Sequence, residues 1–378
     1  MKLSPQQDDA LLAVARWLKA AGSAKAPLVF RLFGYAGTGK TTLARRIAED
    51  VDGDVLFAAF TGKAAQVMRN RGCAGARTIH SMIYRPRGEK AADETGELGP
   101  SFSLNRASAV SKAKLVIIDE CSMVDAELGR DLLSFGTPVL VLGDPGQLPP
   151  IKAGEGGGGF FTEHEPDVML TEIHRQAEDN PIIALSREVR EGGTPALGRY
   201  GESRVIAKAD LDSEAVLAAD QVLVGINRTR RLYNQRIRTL KNFSEPLPQA
   251  DDKLVCLRNN TEKGLLNGGL WRVTSVGRQT GPSVNLLVRS EDDGPHGPSA
   301  KIRVLKDAFL NGVESLSWQQ RRNSDEFDFG YALTVHKAQG SQWDDLVLFD
   351  ESYAFKDMRA RWLYTAITRA AERITIVR

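Results

Sequence analysis

The sequence predicts an α/β chain: two parallel-sheet domains in tandem, with a small hairpin inserted in the first and a small β-barrel in the second. Three observations predict this. Apolar runs alternate with helical patterns through the first half, as a parallel sheet with crossover helices requires. The alternation resumes near Val222 and again from Tyr331 to the final residues. Between them, from about Asp251 to Asn323, short apolar runs are separated by Gly, Asn and Asp, the punctuation of antiparallel strands.

Each element can be justified in order. Ser4-Pro5-Gln6-Gln7 has the form of a capping box, with Ser4 as N-cap, Pro5 at the first helical position and Gln7 reaching back. Leu11, Val14, Ala15 and Leu18 mark one buried face of the helix that follows. Leu28 to Phe33, Val55 to Phe60, Leu115 to Asp119 and Val139 to Gly143 are the expected strands of the first sheet. The last two are continuously apolar, as strands covered on both faces are. The polar segment Tyr84 to Ala107, centred on Asp93-Glu94-Thr95-Gly96-Glu97, reads as the inserted hairpin. Gly154 to Gly159 lacks a Lys-Ser/Thr ending and reads as a flexible connection. The expected domains are 1–83 with 108–178, the hairpin 84–107, then 179–250 with 324–378, and the barrel 251–323.

The 378 residues are 42% hydrophobic and 26% charged, a globular composition with room for two or three domains. A net charge of +2 gives no overall field for nucleic acid, so any basic surface must be local. Cys73, Cys121 and Cys256 lie far apart with no C-x-x-C pair, which argues against a zinc ribbon or disulfide framework and for reduced cytosolic thiols. The N-terminus lacks the apolar core of a signal peptide, and no apolar run approaches a membrane span. A cytoplasmic protein without a membrane partner is expected.

Chemistry enters at Gly34-Tyr35-Ala36-Gly37-Thr38-Gly39-Lys40-Thr41, which fits G-x-x-x-x-G-K-[ST] between an expected strand and an expected helix. Glycines let backbone N–H groups turn inward on a polyphosphate, and the helix that starts at Lys40-Thr41-Thr42 points its positive end at the same anion. Lys40 can reach β and γ phosphates, and the Thr41 hydroxyl can ligate Mg²⁺. ATP with Mg²⁺ is the expected cofactor. Leu115-Val116-Ile117-Ile118-Asp119-Glu120 sets two carboxylates at a strand tip. Asp119 can hold the Mg²⁺ shell and Glu120 can orient the attacking water, or both can cap the next helix. Gln147, in Gly143-Asp144-Pro145-Gly146-Gln147-Leu148-Pro149-Pro150, can sense a γ-phosphate or sit in a structural turn.

The ordered set resembles the superfamily 1B DNA helicases of the RecD/Dda type over nearly the whole chain. The phosphate loop is similar to motif I, Asp119-Glu120-Cys121-Ser122-Met123-Val124 to motif II, and the Gln147 segment to motif III. Thr61-Gly62-Lys63-Ala64-Ala65 resembles motif Ia, and Thr78-Ile79-His80-Ser81 the DNA-contact motif after it. Leu170-Thr171-Glu172-Ile173-His174-Arg175-Gln176 resembles motif IV, Thr334-Val335-His336-Lys337-Ala338-Gln339-Gly340 motif V, and Tyr364-Thr365-Ala366-Ile367-Thr368-Arg369-Ala370 motif VI.

The resemblance implies two RecA-like domains with a pin (1B) and an SH3-like domain (2B) as the insertions. It implies Arg175 and Arg369 as arginine fingers across an interdomain cleft; as isolated residues, either is better read as the partner of a surface carboxylate. Gly340 joins the nucleotide site with Gly34, Gly37, Thr38 and Gly39, and Gln7 reads the adenine edge unless it is only a cap. Thr61, Lys63, Thr78, His80, Thr334 and His336 become DNA contacts, to phosphates rather than bases. Phe102 either stacks on a base at the fork or packs the hairpin onto its own domain. Lys253, Arg258 and Lys263 either face the strand or form a solvated face. The implied partners are single-stranded DNA and single-strand/duplex junctions, and the implied activity is ATP-driven 5′→3′ unwinding by a monomer. Protein partners stay open. A DNA-stimulated ATPase without unwinding, and a nucleotide switch or kinase indifferent to DNA, are the alternatives; RNA in place of DNA is not distinguished by phosphate contacts.

Overall fold

The computed structural model describes residues 3–21, 26–89, 100–150, 159–172, 180–294 and 296–378. The first domain is a six-stranded parallel sheet. Its strands are β1 (Val29–Gly34), β2 (Val55–Ala59), β3 (Arg77–Thr78), β6 (Leu115–Asp119), β7 (Val139–Gly143) and β8 (Val168–Leu170), in the order β3-β2-β6-β7-β1-β8. β4 (Tyr84–Glu89) and β5 (Pro100–Leu104) pair antiparallel as the inserted hairpin. β6 and β7 lie in the middle, so the two most continuously apolar runs take the positions covered on both faces. One face packs Val14, Leu43, Ile47, Ala65 and Met68. The other packs Ile79, Ile83, Val110, Leu128 and Phe161.

The N-terminal helix, Pro5–Ala20, carries the expected capping box, but its buried face is rotated by about one position. Gln7, Ala10, Val14 and Trp17 are buried, whereas Ala15 is exposed and Leu11 and Leu18 are only partly covered. Trp17 sets the rotation: its ring lies 5.4 Å from that of Phe30, and its Nε1 donates to the Pro27 carbonyl at 2.7 Å.

The second domain has the sheet order β17-β11-β18-β19-β10-β9. Here β9 is Gly198–Tyr200, β10 Ser203–Ile206, β11 Gln221–Val224, β17 Ala332–Thr334, β18 Trp343–Phe349 and β19 Ala370–Val377. All neighbours are parallel except the edge strand β9. Helices Pro181–Arg190 and Arg359–Ile367 cover one face. Helix Asn227–Leu240 lies on the other.

Inserted between β11 and β17 is a five-stranded antiparallel sheet in the order β15-β14-β13-β12-β16, built from β12 (Lys253–Cys256), β13 (Leu270–Thr280), β14 (Ser283–Ser290), β15 (Ser299–Leu305) and β16 (Phe327–Phe329). Two register shifts bend β13 against β14. The edges β15 and β16 do not pair as strands, but Asp325 joins them, donating from its N–H to the Arg303 carbonyl at 2.7 Å and accepting the Arg303 N–H at 3.0 Å. β16 follows residue 323, so the sheet runs past the boundary expected from the sequence. The expected glycine-rich connection, up to residue 158, and the expected domain exit at 178–179 lie outside the described residues.

Candidate functional site

The loop from Gly34 to Thr41 joins β1 to helix Lys40–Glu49. Gly37 and Gly39 take φ of 81° and 78°, a region where a Cβ costs roughly 1–2 kcal/mol. At Gly34 a Cβ would lie 2.6 Å from Thr38 Oγ1 and 2.8 Å from Leu170 Cβ, so the loop is closed too tightly for a side chain. Lys40 Nζ lies across the loop, donating to the carbonyls of Gly34 (2.6 Å) and Tyr35 (3.0 Å). Gln7 is buried behind it. Its Oε1 accepts the Ser4 N–H at 3.1 Å, and its Nε2 donates to the Thr38 carbonyl at 3.0 Å. Gln7 therefore caps its helix and braces the phosphate loop with the same amide.

Thr41 Oγ1 donates to Asp119 Oδ2 at 2.9 Å, bringing the two expected Mg²⁺ ligands together. Asp119 Oδ1 accepts the N–H of Glu120 at 2.9 Å. Burial, and then the charge of Glu120, push the Asp119 carboxyl above its ordinary pKa. Glu120 itself sits in the left-handed region at φ 55°, ψ 44°, a strained conformation for a residue with a side chain. No group of three His, Cys, Asp or Glu able to hold a metal occurs among the described residues. That donor set fits Mg²⁺ delivered with a nucleotide, because Mg²⁺ takes one or two protein ligands and completes its shell with phosphate oxygens and water.

These groups line a cleft of about 380 Å³ between the two domains. Gly37, Gly39, Lys40, Thr42 and Gln147 line it from the first domain, and Gly340 and Arg369 from the second. Gln147 is buried, and its Oε1 has no hydrogen-bond partner. A buried, unsatisfied amide oxygen facing a cleft is costly unless something enters to meet it. Gly340 has φ 78°, and a Cβ there would meet Ala64 Cβ at 2.8 Å, so the second domain approaches the first closely at this point. Arg369 reaches across to Glu120 Oε1 at 3.6 Å. Carbonyl groups of Thr365 (3.2 Å) and Ser341 (3.3 Å) hold its guanidinium. Arg175 lies outside the described residues.

Sequence reasoning missed several groups at this junction. Tyr364 OH donates to Asp144 Oδ2 at 2.5 Å and accepts the Ala36 N–H of the phosphate loop at 3.1 Å. Burial lifts Asp144 above the usual carboxylate range, and Lys40 and the Tyr364 hydroxyl pull it back down. The Arg190 guanidinium stacks 3.6 Å from the centre of the Tyr35 ring. Asp144 and Tyr364 each stood inside a quoted motif, which was the available signal; Arg190 stood in none.

The residues expected on DNA divide into groups. Thr61, Thr78 and Thr334 each cap a helix, their hydroxyls accepting the N–H of Ala64 (3.1 Å), Ser81 (3.1 Å) and Lys337 (3.4 Å). Thr61, His80 and Phe102 share an open cavity of about 440 Å³ with Tyr84, Asn259 and Asn267. There Phe102 meets His80 edge-on at 4.5 Å while remaining exposed, so it packs onto its own domain and still presents a free face. His336 lies elsewhere, its ring 5.6 Å from that of Phe355 in the second domain. Partial burial lowers the pKa of both His80 and His336, which leaves them neutral hydrogen-bonders rather than cations at neutral pH. Lys63 instead pairs with Asp292 of the inserted sheet at 2.7 Å. The solvated face expected for Lys253, Arg258 and Lys263 fails at Lys253, which is buried against the Asp220 carbonyl (2.7 Å), whereas Arg258, partly exposed, pairs with Glu326 (2.7 Å) and Lys263, still exposed, with Asp325 (2.6 Å).

Residues 3–210 match the family described as AAA domain, and residues 329–377 match the UvrD-like helicase C-terminal domain. The chain is similar to the ATP-dependent RecD2 DNA helicase of Deinococcus radiodurans, at 28% identity over 368 residues covering 90% of this chain and 46% of that protein. The chain belongs to the superfamily 1 P-loop helicases of the RecD/Pif1 type. Within this family it is also similar to the ATP-dependent DNA helicase Pif1 of Bdellovibrio bacteriovorus, at 26% identity over 357 residues, 83% of this chain and 76% of that one. The fold is shared with the crystal structure of a Bacteroides Pif1 helicase in complex with ADP-AlF3 and single-stranded DNA: TM-score 0.59, 18% identity, 99% of this chain and 92% of that one. The chain spans about half the length of the RecD2 relative. None of the described helices is long and apolar enough to cross a membrane.

Proposed function

We propose that the chain is an ATP-driven motor on single-stranded DNA that moves 5′→3′ and separates the strands of a duplex. The observation that carries this reading is the cleft in which Lys40, Thr41, Asp119, Glu120 and Gln147 of one domain face Arg369 and Gly340 of the other. Bound MgATP would supply the phosphoryl group whose hydrolysis drives the cycle. Lys40 and the N–H groups of the loop bind its phosphates, and Thr41 and Asp119 hold the metal. Glu120, set by its strained backbone and already within reach of Arg369, orients the attacking water. Arg369, and Arg175 with it, stabilise charge on the transferring group, a contribution on the order of a thousand-fold or more for such arginines. Because Arg369 comes from the second domain, full catalysis requires the cleft closed, and opening follows from losing what closed it.

The cavity shared by Thr61, His80 and Phe102 supports a path for the strand beside the hairpin, with the exposed Phe102 ring as the proposed stacking face. The 5′→3′ sense rests on resemblance to the RecD/Dda type. The test is ATP-driven unwinding of duplexes with a 5′ or a 3′ single-stranded tail. Unwinding of the 5′-tailed substrate is expected. Single-strand-stimulated hydrolysis with neither substrate opened would refute the helicase reading and leave a remodelling ATPase. Hydrolysis indifferent to the strand would refute the motor altogether.

A further inference from the structure

The loop that carries Gln147 belongs to the first domain by sequence and by sheet, yet the second domain holds it at both ends. At its start, Asp144 accepts the Tyr364 hydroxyl, and Gly146 leaves room for the ring: a Cβ there would come within 3.1 Å of Tyr364 Cε1. At its end, Leu148 is held on both backbone groups. Its N–H donates to Thr365 Oγ1 at 2.9 Å, and its carbonyl accepts Gln339 Nε2 at 3.0 Å. The Leu148 side chain is buried, and it is buried in the wrong core. It packs in the cluster of Leu185, Val335, Trp362, Leu363 and Tyr364, where it is the one first-domain member among the described residues.

We propose that Leu148 is a positioning residue: a ball seated in a socket of the second domain, through which the position of Gln147 becomes the position of that domain. This rests on the nucleotide-cleft reading above and names the part that transmits its state. A close-packed side chain cannot slide without carrying its surroundings, because interiors are as dense as crystals. Gln147 and Leu148 are adjacent residues, so a shift of one is a shift of the other. Gln339 lies in the segment that also carries Thr334 and His336, and its own Oε1 is buried without a partner. The socket therefore connects the cleft to the segment expected on the strand through the Gln339–Leu148 hydrogen bond and the shared cluster of Leu148 and Val335.

The experiment reads movement and affinity separately. Donor and acceptor dyes are placed on exposed positions of the two domains, through Glu49→Cys and Glu372→Cys. Transfer efficiency is measured as the non-hydrolysable analogue adenylyl imidodiphosphate is added to wild type, Leu148→Ala, Thr365→Val and Leu148→Met. Leu148→Ala empties the socket. Thr365→Val keeps the side chain's shape, removes the acceptor for the Leu148 N–H, and decides the matter where Leu148→Ala fails to fold. The expected result is a closed-to-open ratio at saturation lowered about five-fold or more in both variants, with analogue affinity weakened by no more than that same factor, and both restored in Leu148→Met. Closure equal to wild type in Thr365→Val and in folded Leu148→Ala overturns the proposal, as does the absence of any nucleotide-driven change in wild type. Normal closure in a wild type that unwinds no tailed duplex sinks the helicase reading and leaves this coupling standing.

Discussion

Replacing Tyr364 by Phe removes one oxygen, and the structure assigns that oxygen two tasks. It donates to Asp144, whose carboxylate is 1% exposed, and it accepts the Ala36 N–H. After the change Asp144 Oδ1 still accepts the Gly146 N–H at 2.9 Å, but Oδ2 loses its partner where water does not reach easily. Loss of a hydrogen bond to a buried charged group costs about 2 kcal/mol. That corresponds to a fall in the urea midpoint of roughly 0.7 M for an m-value near 3 kcal/mol/M. The pH dependence has a definite sign. Burial raises the folded-state pKa of Asp144 above its unfolded value, and the Tyr364 hydroxyl opposes that rise. A carboxyl with a raised folded pKa contributes stability fully present below the unfolded pKa and lost as pH rises through the folded one. Tyr364→Phe should raise that pKa further, so its deficit should be large at neutral pH and shrink on acidification. Urea titrations of both proteins from pH 7 down towards pH 4.5 check this. A deficit that stays constant, or a variant as stable as wild type at pH 7, refutes the reasoning.

Four further outcomes are expected. Lys40→Ala should abolish ATP turnover while leaving single-strand affinity, followed by fluorescence anisotropy, largely intact; wild-type turnover in this variant would remove the cleft from consideration. Gln147→Ala should keep nucleotide binding but lower the duplex opened per ATP consumed, and an unchanged ratio would count against a sensing role. Lys63→Ala should destabilise the fold by roughly 2 kcal/mol because it removes the ammonium group that meets Oδ1 of the largely buried Asp292, leaving that carboxylate the Leu270 N–H on Oδ2; if Lys63 also meets a phosphate, the log–log salt slope of single-strand binding should fall by about 0.7. His336 has a folded pKa below its unfolded value, so it contributes stability present above the unfolded pKa and lost as pH falls through the folded one. His336→Gln should therefore flatten the acid side of the stability profile, measured by thermal melts below pH 6.5, and a profile as steep as wild type would contradict the cause assigned.

Local pattern made part of this molecule legible. The phosphate loop could be read because its string stood between an apolar strand and a helix, and β6 and β7 because strands covered on both faces tolerate no polar residue. What escaped is what joins distant residues. Asp144 and Tyr364 are 220 positions apart. No periodicity connects them, and each alone is an ordinary member of a turn or a helix. The socket of Leu148 was hidden for the same reason, since a buried leucine looks alike in either domain's core. The N-terminal helix face was misjudged by one position because Leu11 and Leu18 outrank Ala10 in hydrophobicity, while the space against Phe30 was shaped for Trp17. Lys253 was read as a surface charge because sequence alone does not reveal the Asp220 carbonyl that meets its ammonium group.

The left-handed backbone at Glu120 has a consequence for anyone who would improve this protein. A glycine would adopt φ 55° without strain, and relieving it would return about 1 kcal/mol to the folded state. The same change would delete the carboxylate that Arg369 faces across the cleft. Directed evolution scored by heat resistance alone would thus favour losing the residue proposed to ready the water. A library screened that way needs a turnover assay beside it, because at this position the sturdier molecule lacks the carboxylate proposed to orient the water.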